Sequence, residues 1–443
     1  MNIGTSTFDI IISIAILIAA FVVANKTYNK HIENSWYYAH YKNALFVRIA
    51  FSIIFILVYM YYYGGGDTHY YYYGTRSLVR LFQKDAGAAF RILLGERTPE
   101  LRSLFDADTG NPVYFRDANA WAVCRFSVPF YILGMGSYWG MTLVMCIVLF
   151  IPFWKFYTML CRMYPKNQKT MAIAVLFIPS VLFWSSGILK DVWCLVAVLQ
   201  LYVHVYNVFY RKRKLFLNIV GYVFWSYILI SIRPFVFYTA LASTALWIGF
   251  LWISRIKNVL LRTSVLPFIL SMFLLVIVYV VSSMGNVAVG KYATVDSMLS
   301  YAVIIQDDLK QDYYGENSFD IGSFDATIPS MLSKVPAALF SGLFRPLLWE
   351  GKSLFLLISA LEAAILLVFF VYLLIRTRIV GFFKIITGDA FLSSITIFIV
   401  LSAFFTGLTI ANFGALVRYR IMYLPLFGIL LFRVLYIVKQ KKE

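Results

Sequence analysis

Charge is scarce in this chain. Of its 443 residues only 14% are Asp, Glu, Lys or Arg, while 61% are hydrophobic and the mean hydropathy is +0.77. That leaves too little polar surface to coat a soluble globule of this size. Carboxylates are the scarcer sign, with 21 Asp and Glu against 39 Lys and Arg. The resulting surplus of +18 does not point to nucleic acid, because the basic residues fall in short clusters between apolar runs, as the positive-inside rule expects. Cysteine is equally sparse: Cys124, Cys146, Cys161 and Cys194 form no CxxC pair, which argues against a disulfide framework or a zinc site. No repeat at solenoid or transporter spacing is visible. No basic stretch precedes the first apolar run, so that run does not read as a cleavable signal.

What is present is a series of apolar runs long enough to cross a bilayer. At roughly 20 residues per helix, the pattern predicts an all-α polytopic membrane protein with about eleven transmembrane helices. The candidates are residues 8–24, 46–63, 137–157, 171–188, 192–210, 215–232, 235–253, 264–282, 354–375, 391–411 and 421–438. With the N-terminus outside, alternation places six basic clusters on one side: Lys42 and Arg48; Arg162, Lys166 and Lys169; Arg211 to Lys214; Arg255, Lys257 and Arg262; Arg376 and Arg378; and Lys439 to Lys442. That side, with the C-terminus, reads as the cytoplasm. The chain is expected to form one transmembrane domain, 1–443, with two large extracytoplasmic loops, 64–136 and 283–353. Neither loop is Gly/Ser-rich, so both are expected to be folded and to carry interfacial helices, among them Ser330–Phe344 lying on the membrane. The loops lack an N-x-S/T sequon, which is compatible with a bacterial inner membrane.

The polar motifs gather at the outer ends of spans. In Tyr61-Tyr-Tyr-Gly-Gly-Gly-Asp67-Thr-His69 a glycine hinge and one carboxylate stand where a helix leaves the membrane, among tyrosines whose apolar body and wet tip suit that depth. Asp67 is therefore a carboxylate placed for chemistry at the bilayer surface, and His69 a candidate proton carrier or metal ligand. Pro179-Ser-Val-Leu-Phe-Trp-Ser-Ser-Gly187-Ile-Leu-Lys190-Asp191 reads as a helix broken by small residues before a charge pair. Ser231-Ile-Arg233-Pro234, Phe344-Arg345-Pro346-Leu-Leu-Trp349-Glu350 and Asn412-Phe-Gly-Ala-Leu-Val-Arg418-Tyr-Arg420 add outer-face cations. Lys190, Arg233, Arg345, Arg418 and Arg420 thus lie where topology disfavours cations, and phosphate is a natural counter-charge for them, since the guanidinium fork binds its oxygens bidentately. Pairing of each arginine with a loop carboxylate or with phospholipid headgroups is the alternative, and Asp191 and Glu350 are additional candidate site residues. Asp307 and Asp308, followed by Asp312 and Glu316, form an acidic run that can ligate a divalent cation or simply be solvated.

In these motifs the chain resembles the integral-membrane glycosyltransferases of the GT-C fold, in particular bacterial enzymes that use polyprenyl-linked sugar donors. The resemblance rests on the Gly-Gly-Asp67 motif after an early span, the Ser-Ser-Gly187-Ile-Leu-Lys190-Asp191 break, the Arg233-Pro234 turn and Arg418-Tyr-Arg420 before the last helix. It implies a transferase moving sugar from a polyprenyl-phosphate lipid to a glycan, lipid or protein acceptor for the cell envelope. Asp67 would then be the base, and the five cations would hold the donor phosphate. Two features depart from the family: an extra helix precedes the loop bearing Asp67, and no soluble domain follows the last helix. An O-antigen-type polysaccharide polymerase or ligase shares the same chemistry. A transporter or flippase of a lipid-linked anion is the alternative from another class, although a carboxylate in mid-span is found only at Glu362.

Overall fold

The computed structural model describes residues 4–33, 35–253, 295–309, 311 and 317–440. The described residues are almost entirely helical and contain no β-strand, only an isolated bridge between Ser318 and Asn412. Eight helical segments are long and apolar enough to cross a membrane: Thr7–His31, Trp36–Tyr62, Tyr138–Met163, Lys190–Phe209, Leu215–Ile232, Pro234–Trp252, Leu354–Thr387 and Ala390–Thr409. A ninth is Phe413–Arg420 with Leu424–Gln440, two helices bent by 61° at a short break. The protein is an all-α, multi-pass membrane protein.

The expected spans and the helices agree at most places. The span expected at 171–188 is not one helix: the chain is helical over Gln168–Leu176, extends at Ile178, and turns again over Pro179–Trp184. Pro179 explains the interruption, since the residue before proline is pushed out of helical geometry. The expected span 264–282 lies outside the described residues.

The chain divides into two compact units, Met1–Tyr206 with Lys214–Arg233, and Asn207–Arg213 with Pro234–Glu443. The helices of the first unit are α1 (Thr7–His31), α2 (Tyr41–Leu57), α3 (Asp67–Lys84), α4 (Ala86–Leu94), α5 (Pro99–Ser103), α6 (Ala118–Leu133), α7 (Tyr138–Met163), α8 (Gln168–Leu176), α9 (Pro179–Trp184), α10 (Lys190–Phe209) and α11 (Leu215–Ile232). A capping box opens α1, with Ser6 Oγ accepting from Asp9 N at 3.2 Å and the Asp9 carboxylate accepting from Ser6 N at 2.9 Å. The second oxygen of Asp9 accepts from Ser137 Oγ, the N-cap of α7, at 2.5 Å. One carboxylate therefore both starts a span and fastens it to another.

Arg48, counted among the basic clusters, is not an exposed cation. It is 3% exposed within α2. Its Nε donates to the carbonyl of Cys146 at 3.3 Å, Nη1 to Ser185 Oγ at 2.9 Å and Nη2 to the Ser185 carbonyl at 2.5 Å, with its guanidinium 4.2 Å from the Phe153 ring centroid. Ser52 Oγ donates to the Ser186 carbonyl at 2.9 Å. The Ser-Ser-Gly break thus leaves backbone acceptors that water cannot serve inside a bilayer, and side chains of α2 serve them instead. Gly187 allows the approach, because a Cβ there would fall 2.0 Å from the Phe55 ring. Arg48→Met is expected to lower stability by about 2–3 kcal/mol, the usual cost of stranding buried polar groups, read as the thermal midpoint of detergent-purified protein. Arg48→Lys is expected to recover only part of the loss, since an ammonium cannot reproduce the fork.

The second unit holds α12 (Pro234–Ile253), α13 (Val295–Leu309), α14 (Ile328–Ser333), α15 (Val335–Phe344), α16 (Leu354–Thr387), α17 (Ala390–Thr409), α18 (Phe413–Arg420) and α19 (Leu424–Gln440). Ser243 and Ser394 tie α12 to α17 reciprocally, each hydroxyl donating to the other's carbonyl at 2.7 Å. The 330–344 stretch, expected as one interfacial helix, is two helices, and the second is packed backbone to backbone on α17. A Cβ on Gly407 would fall 1.9 Å from the carbonyl oxygen of Ala338, and one on Gly342 2.2 Å from that of Ala403. Ala338 and Gly342 face Ala403 and Gly407, two small-xxx-small pairs meeting each other.

Candidate functional site

Asp67 is placed by the backbone before it. The second span ends in a wide turn over Val58–Tyr62, and Gly64, Gly65 and Gly66 follow at φ of +61°, +140° and +108°. Three successive residues in the left-handed half of conformational space explain why all three are glycine. α3 then begins at Asp67, whose Oδ1 accepts from Tyr114 Oη at 2.6 Å. Tyr114 is fixed in turn by ring contacts with Tyr71 at 4.8 Å and Tyr70 at 5.6 Å. Asp67 itself is half-buried.

Around Asp67 the first unit gathers a charged cluster. Lys190, at the start of α10, lies 3.9 Å from Asp117 Oδ2 and interacts electrostatically with Asp67 and Arg233 as well. Asp117 caps α6 through Oδ1, which accepts from Asn119 N at 2.8 Å and Ala120 N at 3.1 Å, leaving the other oxygen toward Lys190. The Lys190 side chain is 20% exposed and that of Asp117 44%, so the cluster is not sealed from solvent. One residue deeper, Asp191 and Arg233 form a buried ion pair at 2.7 Å, with side-chain exposures of 0% and 5%. Four of the residues singled out in the sequence, Asp67, Lys190, Asp191 and Arg233, therefore meet in one unit. The Arg233 guanidinium is matched there by a protein carboxylate.

Three more meet in the second unit. Arg345 Nε lies 3.2 Å from Glu350 Oε1, and its guanidinium 4.9 Å from the Phe319 ring. Arg420, fully buried at 0% exposure, donates from Nη1 to the Arg345 carbonyl at 2.9 Å and has Nη2 3.9 Å from Glu362. Arg418, on the same short helix, is half-buried. Asp307 and Asp308 close α13, while Asp312 and Glu316 lie outside the described residues. Among the described residues no group of three or more His, Cys, Asp or Glu side chains is placed to hold a metal ion.

His69 belongs to a different face of α3 from Asp67. It lines a cavity of about 400 Å³ with Gly64–Gly66, Tyr73, Arg76 and Arg80. Burial holds its imidazole below the ordinary histidine pKa, so it is neutral at neutral pH. Burial also pushes the neighbouring Tyr72 phenol up to about 12, with Tyr131 adding to the shift.

No family model, curated protein or solved structure matches this chain.

Sequence reasoning missed Tyr114 and Asp117, the side chains that partner Asp67 and Lys190. Asp117 carries an N-cap signal ahead of Ala118-Asn-Ala, but that signal says nothing of its second oxygen. Tyr114 has no local signal at all. Arg76 and Arg80 were missed as well, although a signal existed: positions 69, 73, 76 and 80 recur at helical spacing on one stripe.

Proposed function

We propose that this protein is a glycosyltransferase of the GT-C type, which moves a sugar from a polyprenyl-phosphate donor to an acceptor hydroxyl on the extracytoplasmic face of the bacterial inner membrane. The observation that carries the reading is Asp67. It is a half-buried carboxylate at the glycine-hinged end of a span, oriented by Tyr114 and within the field of Lys190. A general base for transfer must be positioned, accessible and ionised, and a nearby cation favours the ionised form.

In the transfer, Asp67 takes the proton of the acceptor hydroxyl as that oxygen bonds to the anomeric carbon. The bond from the anomeric carbon to the phosphate oxygen breaks, and the polyprenyl phosphate departs as an anion. Lys190 supplies positive charge where that anion develops. Asp117 holds the ammonium in place through its capping geometry. The Asp191–Arg233 pair is read as the support beneath these groups, since a charge pair this buried is costly to break.

The assay is reconstitution of the full chain in vesicles with a radiolabelled polyprenyl-phosphate sugar. Label appearing in acceptor, with release of polyprenyl phosphate, is the expected result. Intact donor crossing the bilayer without being consumed would assign the protein to transport instead. Orientation is checked separately, on a background lacking the four buried cysteines. Glu316→Cys is expected to label from outside the cell and Lys212→Cys not to.

A further inference from the structure

The cavity on the His69 face of α3 has no part in the reaction just described, yet it is built for a ligand. His69, Tyr73, Arg76, Ser77 and Arg80 present one stripe of the helix to it, and the Ala107–Asn111 segment forms the opposite wall. That wall is held close: a Cβ on Gly110, at φ +88°, would fall 2.9 Å from Ser77 Oγ. Its shape is set by Asp106, whose Oδ1 accepts from the Thr109 backbone N and from Thr109 Oγ1, both at 3.0 Å, while Oδ2 is engaged by Lys84. These bonds hold the Asp106 carboxyl well below the usual range, so it stays ionised and committed to the wall.

None of the residues lining the cavity is a carboxylate. Arg80 spends Nη1 on the carbonyl of Asp108 at 2.9 Å. Arg76, half-buried, makes no hydrogen bond or ion pair among the described residues. Most telling is His69. It is 4% exposed and stands edge-on to Tyr138 at 5.0 Å, and neither of its ring nitrogens has a hydrogen-bond partner among the described residues. Buried polar atoms are nearly always satisfied, and an imidazole with both nitrogens bare beside a cavity implies a partner that occupies it. Gly64–Gly66, just before the N-terminus of α3, also line the cavity, and there the helix dipole adds positive potential.

We propose that this cavity is an oxyanion-binding site that takes a phosphate monoester or diphosphate group, Arg76 and Arg80 pairing with its oxygens and His69 closing the inner end. The shape suits a compact, strongly charged head with two or more oxygens in a plane that a guanidinium can match. Neutral His69 offers one donor and one acceptor, which suits a protonated phosphate oxygen or a hydroxyl beside it. The group can arrive on a soluble molecule or on a lipid, because the lining includes the exposed Tyr70 and Gly64–Gly66, the residues that follow the second span.

The test uses the full chain in nanodiscs and two probes. Inorganic pyrophosphate is titrated calorimetrically, and a long-chain prenyl phosphate is incorporated into the disc and followed by phosphorus NMR. Arg76→Gln and Arg80→Gln are each expected to weaken whichever probe binds by about tenfold or more, the effect of removing a charge-assisted bond. His69→Leu is expected to weaken it less. Circular dichroism of each variant must match the wild type; both arginines are partly exposed on the helix. Binding of pyrophosphate that excludes the prenyl phosphate would establish the site and its soluble ligand. Binding of the prenyl phosphate alone, lost in Arg76→Gln, would establish it as a headgroup site. Equal binding by wild type and both arginine variants, or binding of neither probe, would overturn the proposal. A protein that binds pyrophosphate in an Arg76-dependent way but never consumes a lipid-linked sugar would keep this site and lose the Asp67 mechanism.

Discussion

Asp67→Asn is expected to reduce sugar transfer by roughly 10² to 10⁴, the usual contribution of a positioned general base. The substitution keeps the size of the side chain and an oxygen that can still accept from Tyr114, now 2.6 Å from Oδ1. Proton affinity is what is removed. Donor binding should therefore change little, and the loss should appear in kcat with KM for the lipid nearly unchanged. Tyr114→Phe provides the companion measurement: it leaves the carboxylate in place but frees its orientation, and a smaller loss than for Asp67→Asn is expected. Reconstituted transfer from a radiolabelled donor reads both. Near-normal transfer by Asp67→Asn would remove Asp67 from the reaction.

The largest structural effect is expected at Gly407. Leucine there must place its Cβ where the carbonyl oxygen of Ala338 now stands, at 1.9 Å, and that oxygen belongs to the backbone of a packed helix and cannot swing aside. α15 and α17 would have to separate, and the contacts that Ala338, Gly342 and Ala403 make at their present spacing would go with them. Overpacking of a closed core typically costs 1–3 kcal/mol, and a clash with fixed backbone on both sides belongs above that range, at about 3 kcal/mol or more. Gly342→Ala should cost less but in the same direction, its Cβ meeting the Ala403 carbonyl at 2.2 Å. Gly381→Ala is the control, since its Cβ would make only an ordinary contact, 3.6 Å from Thr377 Cβ. Thermal unfolding of the purified variants orders the three, and a Gly407→Leu protein as stable as the wild type would show that the two helices are not held this close.

The spans were legible because a bilayer imposes length and apolarity on each helix separately, a constraint that a short window of sequence can satisfy or fail. Interactions between distant segments were not legible in that way. Arg48 reads as a topology signal because it is a cation near other cations, and only the fold reveals that it serves a carbonyl at Ser185. The Ser-Ser-Gly break was visible as a break, yet its purpose depends on α2. Pro179 did announce that residues 171–188 would not form one helix, and the length of the apolar run obscured that signal. The site divides in the same manner. Asp67 stood out because three glycines precede it, and Lys190 and Asp191 because charges are rare in this chain. Tyr114 joins Asp67 across a separation that no motif records.

The buried pair of Asp191 and Arg233 also bears on how the protein enters the membrane. Asp191 stands in the first turn of α10, and Arg233 immediately follows α11. In a nascent chain that ends before residue 233, α10 carries in its first turn a carboxylate whose arginine has not yet been made, and an unpaired charge in a span is costly to insert, though less so near an end than at the centre. Once α11 is complete the two charges cancel at 2.7 Å. The hairpin, rather than either helix, is then the unit that partitions favourably into lipid, and the order of synthesis becomes part of what makes the fold accessible.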